Sequence, residues 1–210
     1  KPVKSLKEAK DLKIRATGSA QPKILKELGA FPVTVAGAET YEALSRGVID
    51  GALWPLHAYI QYKIIEPAPY TLNMGVTRFS VLHYPINLDT WKKLPADIQK
   101  ILEDVGNEIT MMYGIYMLGI EADIMKETIE KYGAKYYDIT SAEQKRLREI
   151  GEPMWGEWAK KAETMGIPGK KLVEAYHTIA AKYEEKIEDI IKANKPILER
   201  YKRLYGEKPK

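Results

Sequence analysis

Two hydrophobic rhythms divide the chain near Asn87. Before it, apolar positions come in short runs broken by turn residues. "LKIRAT" alternates apolar and polar residues as a half-buried strand does, and "GSAQPKILKELGA" reads as a helix ended by Gly29. "FPVTV" predicts a second strand, "AETYEALSRG" a helix stopped by Gly47, and "VIDGALW" a third strand broken by Gly51. A short helix over "PLHAYIQYKII" follows, then extended segments around "YTLNM" and "RFSVLHYPIN". Strands alternating with helices of about ten residues predict βαβ units and a mainly parallel sheet.

From Leu88 the pattern becomes helical. "LPADIQKILEDVGNEITMMYGIYMLGIEADIMKETIEKYG" has Pro95 in its first turn and Gly133 as its stop. Apolar residues recur at helical spacing through it, so one continuous helix from Pro95 to Tyr132 is expected despite Gly106, Gly114 and Gly119. A strand-like "AKYYDI" comes next. Thr140 and Glu143 in "TSAEQKRL" have the spacing of a capping box. Two further long helices, split at "GIPGKK", complete the pattern.

Composition narrows the class. Of 210 residues, 45% are hydrophobic and 30% charged, as in an ordinary globular protein. The 33 basic residues are interspersed with 29 acidic ones, so the net charge of +4 does not describe the concentrated basic face of a nucleic-acid binder. The chain has no cysteine, which excludes disulfides, thiolate catalysis and cysteine-ligated zinc. The N-terminal "KPVKSLKEAKDLK" has no apolar segment of the signal-peptide kind. The most apolar run, "MMYGIYMLGI", is too short for a bilayer and reads as a buried helix segment.

Catalytic motifs are missing. There is no dinucleotide fingerprint, Walker A loop, nucleophile elbow or HExxH. "GIPGKK" lacks the first glycine and the Ser/Thr of a phosphate loop, and is better read as a helix–helix turn with Pro168 near its first position. His57, His83 and His177 are far apart and read as structural. Trp91, Trp155 and Trp158 sit at helical spacing and read as packing residues. Arg15 and Trp54 stand out because each falls at the end of a predicted parallel strand, where ligands sit in α/β sheets. An arginine in a strand is ordinarily an edge or salt-bridge residue, and a lone tryptophan is ordinarily core. Together they have the makings of a carboxylate clamp and an apolar wall, since the planar guanidinium fork matches a carboxylate.

"LKIRATGS", then "LGAFPVTVAGAETYEALSRGVIDGALWP", then "PINLDTWKKLPADIQKIL", in this order and spacing, resemble the solute receptors of tripartite ATP-independent periplasmic (TRAP) transporters, the DctP-type family. The shared pattern is a K-x-R strand end, a G-A-x-P strand, an E-x-Y-x-A-L helix, a G-V-[VI]-D-G turn and an N-x-x-x-W-x-x-L-P opening of a long helix. The likeness extends through "WGEWAKKAETMGIP" to the final helices. It implies an α/β fold of the two-lobed periplasmic-binding-protein type, class II-like, with long C-terminal helices bracing the lobes. Family members open with a first lobe before the K-x-R strand, so that lobe is expected to be largely absent from this chain. Residues 1–82 are then expected to form a second-lobe α/β segment, 83–132 a crossing strand and the interlobe helix, and 133–210 a second-lobe strand and the C-terminal helices.

The resemblance also implies roles. Arg15 corresponds to the arginine that pairs with the substrate carboxylate, and Ser19 to the loop after that strand that lines the pocket. Trp54 falls at the ligand-contacting position after the G-V-x-D-G turn, and Phe79 in the strand crossing between lobes. Two departures matter. Leu53 stands where many members carry an acid that, in receptors binding a 2-oxoacid with a cation, helps hold the metal, so no metal is expected. Gly37 stands where sialic-acid receptors have an aromatic residue, and Trp54 replaces their asparagine. A pocket more apolar on one side and more open on the other favours a monocarboxylate with an apolar body over sugar acids and small dicarboxylates.

The expected function is capture of an organic acid in the periplasm or other extracytoplasmic space and its delivery to TRAP permease subunits, with no catalysis and no cofactor. An uncovered first-lobe face would favour homodimerisation. Two other readings stand beside this one: an α/β enzyme using Asp50 or His57 as acid–base groups, and a helical protein-interaction module. No nucleophile–base–orienter set can be assembled for the first.

Overall fold

The segment "LKIRAT" forms β1 (Lys13–Arg15) at the centre of a three-stranded parallel sheet of order β2-β1-β3. Its neighbours are β2 (Phe31–Val33) and β3 (Gly51–Ala52). The helix α1 (Ala20–Glu27) connects β1 to β2, and α2 (Thr40–Ser45) connects β2 to β3. The register pairs Ile14 with Pro32 and Gly51, and Arg15 with Val33 and Ala52, so all three strands end level with Arg15. A second parallel pair joins β4 (Tyr70–Asn73) to β5 (Lys135–Asp138). The predicted parallel βαβ arrangement is observed.

This computed structural model describes residues 2–75, 85–184, 186–193 and 196. The predicted crossing strand over "FSVLHYPIN" lies largely outside them, as do Phe79 and His83. The chain divides into two units. One comprises Lys1–Phe79 and Ile124–Glu184, the other Ser80–Asp123 and Glu185–Lys210.

In the first unit, Leu6, Ile24, Leu28, Ile139 and Leu147 form a buried cluster that joins α1 to α5 (Ser141–Thr164). Burying each such aliphatic side chain contributes about 1.5–3 kcal/mol. A second cluster of Ala16, Leu25 and Ala30 lies between α1 and the three-stranded sheet, with Ile14 and Leu53 packed on it. A third, Tyr59, Ile65 and Ala134, carries Trp54, Leu56 and Tyr136 on its flank. α5 opens with the expected capping box, in which the Thr140 hydroxyl accepts the Glu143 N–H and Glu143 Oε2 accepts the Thr140 N–H. α6 (Gly169–Glu184) follows the predicted turn. A Cβ at Gly169 would stand 2.2 Å from the Ala159 carbonyl oxygen, so the approach of α6 to α5 requires glycine there.

That close approach also corrects one expectation. Ala159 and Ala162 are the buried residues of α5 near its end, whereas Trp158, one position along and turned about 100° around the helix, is 48% exposed. Small residues hold the face where two backbones meet, and the indole is left outside. Trp155, by contrast, packs against Tyr176 and His177 of α6.

A second correction concerns "PLHAYIQYKII". Only a 3-10 turn at Leu56–Ala58 and further turns form there. The Ile64 N–H reaches back to the Tyr59 carbonyl and the Lys63 N–H to that of Ile60, with Lys63 left-handed at φ 55°. This is a helix-terminating Schellman pattern with lysine where glycine is usual, and it stops the helix within about two turns.

The second unit contains α3 (Leu88–Lys93), whose first turn is capped by the Asn87 side chain accepting from the Asp89 and Thr90 N–H groups. The predicted long helix is present as a single element, α4 (Ala96–Tyr132), followed by Gly133 at φ 64°. Its residues from Ile124 onward belong to the first unit. There Thr128, fully buried, makes a 2.6 Å hydrogen bond to the Tyr136 hydroxyl of β5.

Candidate ligand-binding site

The site is built from strand ends. β1 and β3 run parallel and stop together, because Leu53 N–H donates to the Arg15 carbonyl at 2.9 Å and the chain then leaves the sheet at Trp54 and Pro55. On the other side, Ala16 N–H donates to the Val33 carbonyl, after which Val35 and Ala36 lead into the Gly37–Glu39 turn. Arg15, the last residue of β1, therefore has a loop on each side.

Both loops bind its guanidinium through backbone oxygens. Nε donates to the Val35 carbonyl at 3.1 Å and Nη1 to the Leu53 carbonyl at 3.3 Å. The Trp54 ring lies against the group, with Cζ 4.3 Å from the ring centroid, a cation–π distance. Arg15 is only 8% exposed. Burial pulls its pKa below the ordinary arginine value, although arginine stays charged at any ordinary pH. Among the described residues no carboxylate forms an ion pair with it. Of the five guanidinium N–H groups, these two bonds use two and leave three.

Trp54 is held in turn by Tyr62, with ring centroids 5.1 Å apart and planes at 68°. Its indole nitrogen is buried without a hydrogen-bond partner among the described residues. A Cβ placed on Gly37 would stand 3.6 Å from Cη2 of Trp54 and 3.8 Å from Cε1 of Tyr62, so glycine leaves a shallow gap beside both ring rims. The structure thus brings Arg15, Trp54 and Gly37 together. Tyr62, which belongs to no motif, joins them because the Lys63 turn places it at the end of its coil.

Ser19 lies in the loop after β1, exposed, at the start of α1. Its side chain makes no capping bond, and Gln21 Oε1 instead accepts the Thr17 N–H at 2.8 Å. Phe79 is outside the described residues. Leu53 turns its side chain into the Ala16–Leu25–Ala30 cluster and offers the site only its carbonyl. Asp50, a candidate acid–base group, accepts the Lys13 N–H at 2.8 Å and so fastens β3 to β1. Among the described residues no cluster of His, Cys, Asp or Glu has the makings of a metal site. Nor is any helix among them long and apolar enough to cross a membrane.

Comparison with known proteins gives a consistent picture. The family model for bacterial extracellular solute-binding protein, family 7 (DctP), matches residues 1–161. A solute-binding protein of Albidiferax ferrireducens is 26% identical over 166 residues, which is 78% of this chain and 49% of that protein. A TRAP periplasmic solute-binding protein from Desulfovibrio salexigens superposes with a TM-score of 0.72 at 28% identity, covering 88% of this chain and 57% of its own. In that crystal the C-terminus of a symmetry mate occupies the ligand site. A TRAP receptor from Rhodoferax ferrireducens with bound malonate gives a TM-score of 0.67 at 25% identity, over 87% and 57%. The chain spans about a third to a half of the length of the curated relatives it matches.

Proposed function

Because the chain belongs to the bacterial extracellular solute-binding proteins of family 7, the TRAP receptors, we propose that it captures an organic acid outside the cytoplasmic membrane and hands it to membrane permease subunits. Arg15 takes the acid's carboxylate. The observation that carries this reading is an arginine 8% exposed as a residue, whose two hydrogen bonds and lack of an acidic partner among the described residues leave three guanidinium N–H groups for a ligand. Burying a charge without a counter-charge is costly, and an anionic ligand repays the cost by arriving.

Among the described residues, both hydrogen bonds of the Arg15 side chain go to neutral carbonyls, and this has two effects. The fork is locked in orientation by loops on both sides, so little rotamer entropy is lost when the ligand binds. The full positive charge also remains available for a charge-assisted, two-point interaction. Trp54 forms an apolar wall behind the guanidinium, and Ser19 and Phe79 line the same pocket. In a two-lobed receptor, closure around the ligand desolvates the ion pair and strengthens it. No bond is made or broken, and with Leu53 at the position of a metal-holding acid, no metal takes part. The ligand is a monocarboxylate with an apolar body.

The test is a thermal-shift screen of the protein against a panel of mono- and dicarboxylic acids. A binding acid at about 100 times its Kd should stabilise by about 2.7 kcal/mol. At that concentration the same acid should stabilise Arg15→Lys by no more than about 0.9 kcal/mol, what is left after a roughly thirtyfold loss of affinity. A panel without any stabilising acid overturns the reading in favour of an interaction module.

A further inference from the structure

Resting on the Arg15–carboxylate reading, we propose that Tyr62 is the residue that sets specificity, its ring receiving an aryl group, and that the ligand class is aromatic monocarboxylates. The Trp54 ring is already occupied by contacts within the chain. The Arg15 guanidinium lies 4.3 Å from its centroid, and Tyr62 packs on it at 68°. Trp54 is partly buried against the Tyr59–Ile65–Ala134 cluster, so its main task is to position Arg15. Tyr62 is 42% exposed in the same group of rings, whereas Trp54 is partly buried, so Tyr62 is the more accessible of the two aromatic residues.

Gly37 fixes the shape of this surface. A single methyl on it would meet the rims of both rings at 3.6 and 3.8 Å, in ordinary contact. The missing side chain at Gly37 therefore leaves space for about one methyl beside both rims, where a ligand group can approach them. That space begins two residues after Val35, whose carbonyl holds Arg15 Nε, so the carboxylate partner and the ring surface belong to one short stretch of the site. Aromatic pairs at centroid distances of about 4.5–7 Å gain beyond the area they bury, an advantage an alkyl chain does not share.

The experiment measures binding of phenylacetate and propionate by calorimetry to the wild-type protein and to Tyr62→Ala, Tyr62→Phe, Gly37→Ala, Trp54→Ala and Arg15→Lys, each checked by circular dichroism. Tyr62→Ala is expected to weaken phenylacetate about tenfold and propionate less than about threefold, and Gly37→Ala to act in the same sense by filling the gap. Tyr62→Phe should keep both affinities, since the ring and not the hydroxyl is used. Trp54→Ala should weaken the two acids by similar factors because it acts through Arg15. Equal losses for both acids in Tyr62→Ala, or wild-type binding of propionate but not phenylacetate, overturn the Tyr62 assignment and leave the Arg15 reading intact. Binding of neither acid to the wild type overturns the aromatic-monocarboxylate assignment, while the Arg15 reading is decided by the wider panel of acids.

Discussion

Two charged side chains, Arg15 at the end of the three-stranded sheet and Glu143 at the start of α5, meet their surroundings in opposite ways. Glu143 spends its capacity within the chain. Oε2 accepts the Thr140 N–H and lies 2.9 Å from the Thr140 hydroxyl, while Oε1 accepts the Leu6 N–H at 2.8 Å across 137 residues of sequence. These bonds hold its pKa below the ordinary carboxylate value. Arg15 is more deeply buried, yet its two side-chain bonds among the described residues leave three donors in reserve, and its pKa shift comes from desolvation. A charge whose hydrogen bonds are all internal fastens the fold. One held in place by neutral carbonyls, with no acidic partner among the described residues, is what the proposed pairing with a carboxylate requires.

The largest effect should come from Arg15→Lys. Lysine keeps the charge but loses the fork, so affinity for the native acid should fall by about 2–5 kcal/mol, roughly thirtyfold or more, by titration calorimetry. The melting temperature of the ligand-free protein should change little beside that loss. A variant that binds as tightly as wild type would make Arg15 a structural residue like Glu143, and the contrast between the two would disappear.

Glu143→Ala should do the reverse. Losing the capping box and the tie to Leu6 should cost about 1–2 kcal/mol of stability in urea unfolding, with acid affinity unchanged. The effect should also depend on pH. The folded-state pKa is lowered, so the stabilisation is complete above the unfolded value of about 4.3 and is lost as pH falls below it through the folded value. Unfolding free energy measured from pH 6 to 3 should drop more steeply for wild type than for Glu143→Gln, which has no carboxylate to protonate.

The smallest change bears on how the ring surface is held. Lys63 occupies the left-handed region at φ 55°, which costs a non-glycine residue about 1 kcal/mol. Lys63→Gly should therefore raise stability by up to about 1 kcal/mol, less whatever the added freedom of the unfolded chain takes back. The Trp54–Tyr62 pairing should survive, which tryptophan fluorescence can follow.

Much of the fold was legible in the sequence because its signals are local. The alternation of "LKIRAT", the Thr140–Glu143 spacing and the stop at Gly133 depend on residues within one or two turns of each other. The α4 helix was equally readable, since three glycines among many good helix formers do not outweigh 37 residues of propagation. The coil after Trp54 reads as a helix because of its apolar content, while the left-handed Lys63 that ends it leaves no mark on composition. Trp158 reads as a packing residue because the helical period says that a face exists, not which face a neighbouring backbone will approach.

The candidate site divides in the same way. Arg15 and Trp54 were visible in the sequence as residues at strand ends, since strand termini and the order of α and β segments follow from local pattern alone. What the chain does with the guanidinium was decided only by tertiary structure. Val35 and Leu53 act through backbone carbonyls, which every residue has, so no side-chain pattern announces them. Their reach to Arg15 across 20 and 38 residues exists only once two strands end level on either side of it. Tyr62 was hidden for the same physical reason, because its position beside Trp54 is set by a turn and a ring packing that form after the sheet has brought the loops together.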